Sequence, residues 1–317
     1  MQVRVAVIGT GHMGRHHAVK VAELCDDGGA AFAGIADIDP DRRRRVAAET
    51  GARAAACGRE LFGEADAAIV AVPTIAHFEV VRAALEAGLD VLVEKPIAAS
   101  ARQAEELLAL ARRGGCILQV GSQEWFNPAL RAIRAKIQRP RFVEGHRVGP
   151  FSERGADVDV VRDLMIHDLD ILLKLLGEEP QHIAAVGVPV VTDKVDIANA
   201  RIAFPDGCVA NLTASRVSVK PVRKIRFFQR DGYFSIDFLA QSAAIFRRVE
   251  SKRGDPPRVE KETLSVDRED PLRNQLRAFV RAVETRDMSA STGDEALVAL
   301  RTALRVVDAM PSVEDLA

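Results

Sequence analysis

The chain has 317 residues, 48% hydrophobic and 28% charged, with 44 basic against 45 acidic side chains and a formal net charge of -1. That composition excludes disordered, collagen-like and coiled-coil chains, and the balanced charge supplies no field for holding a nucleic acid backbone. The longest apolar stretches fall far short of the ~20 residues that span a bilayer, and the length suggests two domains. A strand-like run opens the chain with no basic segment ahead of it, so the expectation is a cytoplasmic protein without a signal peptide. Cys25, Cys57, Cys116 and Cys208 are dispersed with no Cys-x-x-Cys pair, which points to free thiols and away from a metal site or a disulfide framework.

The first 120 residues alternate short β-branched runs with helical patterns. Strands are predicted at Val3 to Ile8, Ala31 to Ala36, Ala67 to Val72, Asp90 to Val93 and Cys116 to Val120, with helices starting near His12, Pro40, Ala76 and Ser100. This β-α-β-α order predicts a doubly wound parallel sheet of the Rossmann kind. After Gly121 the pattern changes. One long apolar helix near Arg162 to Leu176 precedes strands at His182 to Thr192, Val195 to Phe204, Gly207 to Val217, Lys224 to Arg230, Tyr233 to Phe238 and Ala244 to Val249. Turn residues such as Pro205-Asp206-Gly207 predict antiparallel neighbours, hence an α+β domain whose open sheet is covered on one face. Glu250 to Arg258 reads as a surface loop, and helices near Pro271 to Thr285 and Gly293 to Ala309 close the chain.

The first strand runs into Gly9-Thr10-Gly11-His12-Met13-Gly14 and then a helical pattern, the order a dinucleotide site requires. Gly9 permits the tight turn, Gly11 the approach of a pyrophosphate, and Gly14 close packing of helix on strand, while the helix N-terminus offers N–H groups to the phosphates. Asp37 ends the second strand, where an acidic side chain hydrogen-bonds the ribose hydroxyls and repels a 2'-phosphate. The run Arg42 to Arg45 could receive that phosphate, but successive helical positions cannot share one face, so NAD is favoured over NADP.

Glu94-Lys95-Pro96 stands at the carboxyl end of a predicted parallel strand, the edge at which such sheets bind ligands. A lysine there can hydrogen-bond a substrate hydroxyl and offset charge growing on its oxygen. In the long helix, Asp163, His167, Asp170 and Lys174 form a narrow polar stripe on an otherwise apolar surface. His167 is a candidate general base with Asp163 one turn away to orient it; which of Lys95 and His167 takes the proton stays open.

The Gly9 to Gly14 motif, Val72-Pro73-Thr74 with His77, Glu94-Lys95-Pro96, Trp125-Phe126-Asn127-Pro128 and the stretch from Asp163 to Asp170 together resemble the glucose-fructose oxidoreductase, inositol dehydrogenase and rhizopine catabolism family over essentially the whole chain. The resemblance implies an NAD(P) domain over residues 1–121 and a substrate-binding and oligomerisation domain over 122–317. It places Lys95, Asp163 and His167 around the substrate carbon. To Gly9, Gly11, Gly14 and Asp37 it adds Thr10, His12, Met13, Val72, Pro73, Thr74, His77, Glu94, Lys95 and Gln123 as cofactor-binding residues. Trp125 stands where many relatives carry arginine.

Within the family, the stretches Val158 to Asp168 and Thr192 to Ala200 resemble bacterial sugar-nucleotide 3-dehydrogenases, especially those acting on UDP-N-acetylglucosamine. The implied reaction moves a hydride from C3 of a nucleotide-linked amino sugar to NAD. An inositol or aldose is the alternative substrate, and a catalytically silent dinucleotide-binding protein the alternative class. A diphosphate needs cations, for which Arg147, Arg154, Arg162, Arg216 and Arg223 are candidates. An uncovered sheet face is expected to join copies into a homodimer or homotetramer.

Overall fold

A computed structural model describes residues 2–152, 158–230, 232–249, 258–287 and 292–311. The chain forms two compact units, one of residues up to 123 with 270–297, the other of 124–269 with residues from 298 on. Among the described residues, no helix is long and apolar enough to cross a membrane.

The first unit is built in strict alternation: β1 (Arg4–Ile8), α1 (His12–Asp26), β2 (Ala31–Ala36), α2 (Pro40–Thr50), a two-residue β3 (Ala54–Ala55), β4 (Ala67–Val70), α3 (Thr74–Glu86), β5 (Asp90–Val93), α4 (Ala101–Gly114) and β6 (Leu118–Val120). Every strand pair is parallel, in the order β3-β2-β1-β4-β5-β6. Strand order reverses between β1 and β4, which puts the ligand crevice at the carboxyl ends of those strands. Val5, Val7, Ile35, Ile69 and Leu92 are buried, as strands covered on both faces require. Helix starts follow local chemistry: Asp39 caps α2 by accepting from the Asp41 and Arg42 amides with Pro40 in the first turn, and Ser100 caps α4.

The second unit begins with α5 (Pro128–Ile133) and β7 (Phe142–Val148). A wide π-helical turn, Val161–Met165, leads into α6 (Ile166–Leu176). Seven strands follow: β8 (His182–Val188), β9 (Ile197–Ala203), β10 (Val209–Ser215), β11 (Val222–Gln229), β12 (Gly232–Asp237), β13 (Ser242–Val249) and β14 (Arg258–Leu264). They join β7 in one sheet ordered β14-β13-β12-β11-β7-β10-β9-β8, antiparallel throughout except for the parallel pair β7 and β10. One face packs on α6 in a core that includes Met165, Leu169, Leu172, Ile202, Leu212, Ile225, Phe227 and Ile245. On the other face Phe142, Phe228, Tyr233 and Phe246 stand opposite one another on four adjacent strands, with ring centroids 5.6, 5.0 and 4.2 Å apart.

The α/β plus α+β fold class is as expected, with differences of detail. Strand β7 was absent from the expected strands, and it sits between β10 and β11, which were expected as neighbours. Its inward positions are Val143, Gly145 and Arg147, so the apolar alternation that marks a strand is interrupted twice. Gly145 is needed because a Cβ there would stand 2.6 Å from Leu212 Cδ2. Strand β8 stops at Val188, not Thr192, because the amides of residues 190–192 turn inward to the Asp196 carboxylate. Strand β14 also escaped notice: it is a charged, exposed edge, which blocks further strand addition but carries no apolar pattern. Of the loop expected from Glu250 to Arg258, residues 250–257 lie outside the described residues and Arg258 opens β14.

The last two helices are α7 (Pro271–Thr285) and α8 (Gly293–Asp308). Helix α7 belongs to the first unit, so the boundary expected at 121/122, with everything after it in one domain, is replaced by a chain that returns. The cause is the apolar face of α7: Leu276, Phe279 and Val280 complete the core that holds Val21 and Leu24 of α1. Asp270 pairs with Lys20 at 3.0 Å, and Arg273 with Asp27.

Candidate active site

In the first unit the expected cofactor residues lie along the carboxyl ends of β1, β2, β4, β5 and β6. Gly9 adopts φ +89°, and a Cβ at Gly14 would stand 1.8 Å from the Gly9 carbonyl oxygen, so both positions admit glycine alone. At Gly11, which begins α1, a Cβ would meet nothing within 4 Å. The helix N-terminus is therefore uncovered where a pyrophosphate would approach it. His12 is exposed, Met13 and Gln123 half-buried.

Asp37 binds the loop across from it. Its Oδ2 accepts from the Thr10 amide at 2.6 Å and the Thr10 hydroxyl at 2.8 Å, and its Oδ1 from the Asp39 amide at 2.8 Å. Thr10 is completely buried and so anchors the loop from beneath. The four arginines disperse as helical spacing demands. Arg42 pairs with Asp39 and Arg44 with Asp41, while Arg43 Nη1 donates to the Asp37 carbonyl at 2.9 Å. Two residues that sequence reasoning missed are Ile38 and Ile75, 93% and 84% exposed beside Asp37 and Thr74. Large apolar side chains bared at a strand end and a helix start suit the flat faces of an adenine, and their signal was an isoleucine next to each polar motif residue.

His77 behaves differently from the expectation of a cofactor contact. It is 1% exposed, its Nδ1 faces the Pro96 carbonyl at 2.7 Å and its Nε2 the Val72 carbonyl at 2.9 Å. Burial holds its pKa below the ordinary value despite both carbonyls. The ring is a brace that ties the segment Val72-Pro73-Thr74 to the turn after Lys95. Glu94 and Lys95 are both partly exposed at the end of β5. Burial alone would raise the Glu94 carboxyl, but the hydrogen bond from His17 and the neighbouring Lys95 hold it below its ordinary value.

In the second unit the polar stripe is present: Asp163, His167 and Asp170 are partly exposed and the Lys174 side chain is buried at 3% exposure, while Val161, Met165, Ile166, Leu169, Ile171 and Leu172 are buried. Asp163 lies in the wide turn and His167 in the first turn of α6, an interruption of helical spacing frequent at functional sites. Lys174 Nζ pairs with Asp170 at 2.9 Å and lies 5.3 Å from the centre of the Trp125 ring, which Arg134 approaches at 4.6 Å. Trp125 thus has two cations close to its ring.

The arginines expected for a diphosphate are mostly committed elsewhere. Arg147, 3% exposed, donates through Nε and Nη2 to Asp168 at 3.1 and 2.8 Å and through Nη1 to Glu124 at 2.8 Å. Burial alone would lower its pKa, and the two carboxylates more than reverse that. Arg216 is buried against Asp196 at 2.8 Å, and Arg162 is paired with Asp159. Buried ion pairs make Arg147 and Arg216 structural residues, which corrects their assignment to substrate, while the Arg162 side chain stays 31% exposed beside Asp159. Arg154 lies outside the described residues, and Arg223 is half-exposed, 3.8 Å from Glu124.

Comparison with known proteins agrees with this layout. Residues 3–122 match the model of an oxidoreductase family with an NAD-binding Rossmann fold, and residues 129–235 that of the Gfo/Idh/MocA C-terminal domain. The chain is 38% identical over 284 residues, 89% of each chain, to UDP-N-acetylglucosamine 3-dehydrogenase of Acidithiobacillus ferrooxidans. A solved structure of that enzyme covers 98% of both chains with a TM-score of 0.92 and 37% identity. Myo-inositol dehydrogenase Hyg17 of Streptomyces leeuwenhoekii is 33% identical over 230 residues, 67% of this chain and 69% of its own. The chain therefore belongs to the Gfo/Idh/MocA family of NAD-binding oxidoreductases.

Proposed function

We propose that the protein oxidises the C3 hydroxyl of a nucleotide-linked amino sugar, UDP-N-acetylglucosamine, with NAD as hydride acceptor. The observation that carries this reading is the similarity to the A. ferrooxidans 3-dehydrogenase along nearly the full length of both chains. The first unit fits a dinucleotide by its own chemistry: an open helix N-terminus at Gly11, a carboxylate at the ribose position and two bared isoleucines. When bound, the nicotinamide accepts the hydride at its C4. Lys95 hydrogen-bonds the substrate hydroxyl and stabilises the charge that grows on its oxygen. His167 accepts the hydroxyl proton, and Asp163 orients its ring and balances the charge it gains.

The test is spectrophotometric. NAD with UDP-N-acetylglucosamine gives reduced cofactor, and Lys95→Met and His167→Asn lose turnover while keeping cofactor affinity within a few fold. Near-normal kcat in Lys95→Met overturns the catalytic assignment. Reduction with an inositol or glucose, and none with any UDP-sugar, moves the substrate to the polyol class and leaves the hydride chemistry standing.

The aromatic row of Phe142, Phe228, Tyr233 and Phe246 supports a second part of the reading, that copies associate through the outward sheet face into a homodimer or homotetramer. Light scattering at micromolar concentration checks it; a monomer overturns it.

A further inference from the structure

Glu94 occupies a slot between α1 and the end of β6. Its Oε1 lies 2.6 Å from His17 Nε2, and the His17 side chain is completely buried in α1. The other ring nitrogen, Nδ1, is buried with no hydrogen-bond partner among the described residues. A buried N–H without an acceptor is costly, so the ring proton belongs on Nε2, directed at the carboxylate. Gly121 lies flush with the same group: a Cβ there would stand 3.0 Å from Glu94 Oε2 and 3.2 Å from Oε1. The Glu94 amide also donates to the Val70 carbonyl at 2.9 Å, which fixes the backbone at the carboxyl end of β5 beside β4.

We propose that His17 is a positioning residue for cofactor binding: its Nε2–H, with Gly121 as a second close wall, locks the Glu94 carboxylate in one orientation at the nicotinamide end of the site, beside Lys95. The proposal rests on the dinucleotide reading given above and deepens it. Helix α1 then acts at both ends of one ligand, with its N-terminus on the pyrophosphate and its buried histidine on the carboxylate that receives the far half. The charged and titratable groups that bear on Glu94 are His17 of α1, His77 of α3 and its neighbour Lys95. The carboxylate stays an anion through the neutral range, and His17 directs it without supplying the chemistry.

Calorimetric titration of NAD, with steady-state kinetics, tests this. His17→Leu weakens NAD binding and raises its KM about tenfold, as loss of one hydrogen bond to a charged group predicts, while kcat falls less. His17→Gln, which can present an N–H at similar reach, restores affinity to within about threefold. Glu94→Gln combined with His17→Leu loses no more than the larger single loss, because the two residues act as one unit. Gly121→Ala pushes on the carboxylate without touching α1, and reproduces the loss even where the leucine variant fails to fold. Wild-type NAD affinity in Gly121→Ala or in folded His17→Leu overturns the proposal, as do additive losses in the double variant. Failure of the unaltered protein to bind NAD overturns instead the dinucleotide reading on which it stands.

Discussion

The two units solve the burial of polar groups in opposite ways. In the first, single side chains serve the backbone or one another: Thr10 with Asp37, His77 against two carbonyls, His17 on Glu94. In the second, full charges go into the interior in pairs, Arg147 with Asp168 and Glu124, and Arg216 with Asp196. A ligand site made mostly of backbone needs small residues at fixed spacing. A mixed sheet assembled from strands remote in sequence has its register held by pairs that only one arrangement satisfies.

The sharpest way to break this contrast is Arg147→Met. It strands Asp168 and Glu124 without their cation and costs about 3–5 kcal/mol by chemical denaturation. A loss under about 1 kcal/mol means that the pair does not hold the second unit together. In the first unit the largest effect comes from adding one carbon. Gly14→Ala collides with the Gly9 carbonyl, and NAD affinity falls about a hundredfold by calorimetry, roughly 2.7 kcal/mol.

A pH series sharpens the comparison further. Burial would raise the Asp196 carboxyl, but the amides of Thr192, Val191 and Val190 and the Thr192 hydroxyl hold it far below its ordinary value, with Arg216 also donating to it. A depressed folded pKa means that its stabilisation is complete above the unfolded value, about 3.9, and is lost as pH falls from there toward the folded value. Melting temperature followed from pH 6 to pH 3 therefore drops more steeply in the wild type than in Asp196→Asn, which starts lower by about 2 kcal/mol. The smallest effect belongs to the ribose corner. Asp37→Asn weakens NAD about fivefold, roughly 1 kcal/mol, and narrows its advantage over NADP, because Arg43 already stands at the Asp37 carbonyl. Unchanged relative affinities for the two cofactors overturn that role for Asp37.

The parallel sheet was legible because each of its signals is local: a glycine spacing, a strand-end acid, a Glu-Lys-Pro corner, a capped helix. The polar stripe on α6 was legible for the same reason, being spaced within one helix. The wide turn at Val161–Met165 leaves no mark in a sequence of ordinary helix formers. Strand β7 was hidden because its inward positions hold a glycine and an arginine whose partners lie 21 and 23 residues away. The diphosphate assignment of Arg147 and Arg216 failed on the same point: an arginine looks available until the carboxylate that claims it is located. The place of α7 was not legible at all, since an amphipathic helix carries no label for the core it joins.

Tryptophan and tyrosine each occur once in the chain. The indole, Trp125, has Arg134 and Lys174 close to its ring, and Lys174 is tied to Asp170 one turn along α6. Light of a wavelength absorbed by indole alone therefore addresses a single place in the molecule, beside the last turns of α6, the helix whose first turn holds His167. Two cations beside the ring bias its excited state, so the colour of its emission responds to Arg134 and to the Asp170–Lys174 pair. The protein carries its own optical gauge of that helix, and a shift in emission on adding a sugar, without any label, is a signal from α6.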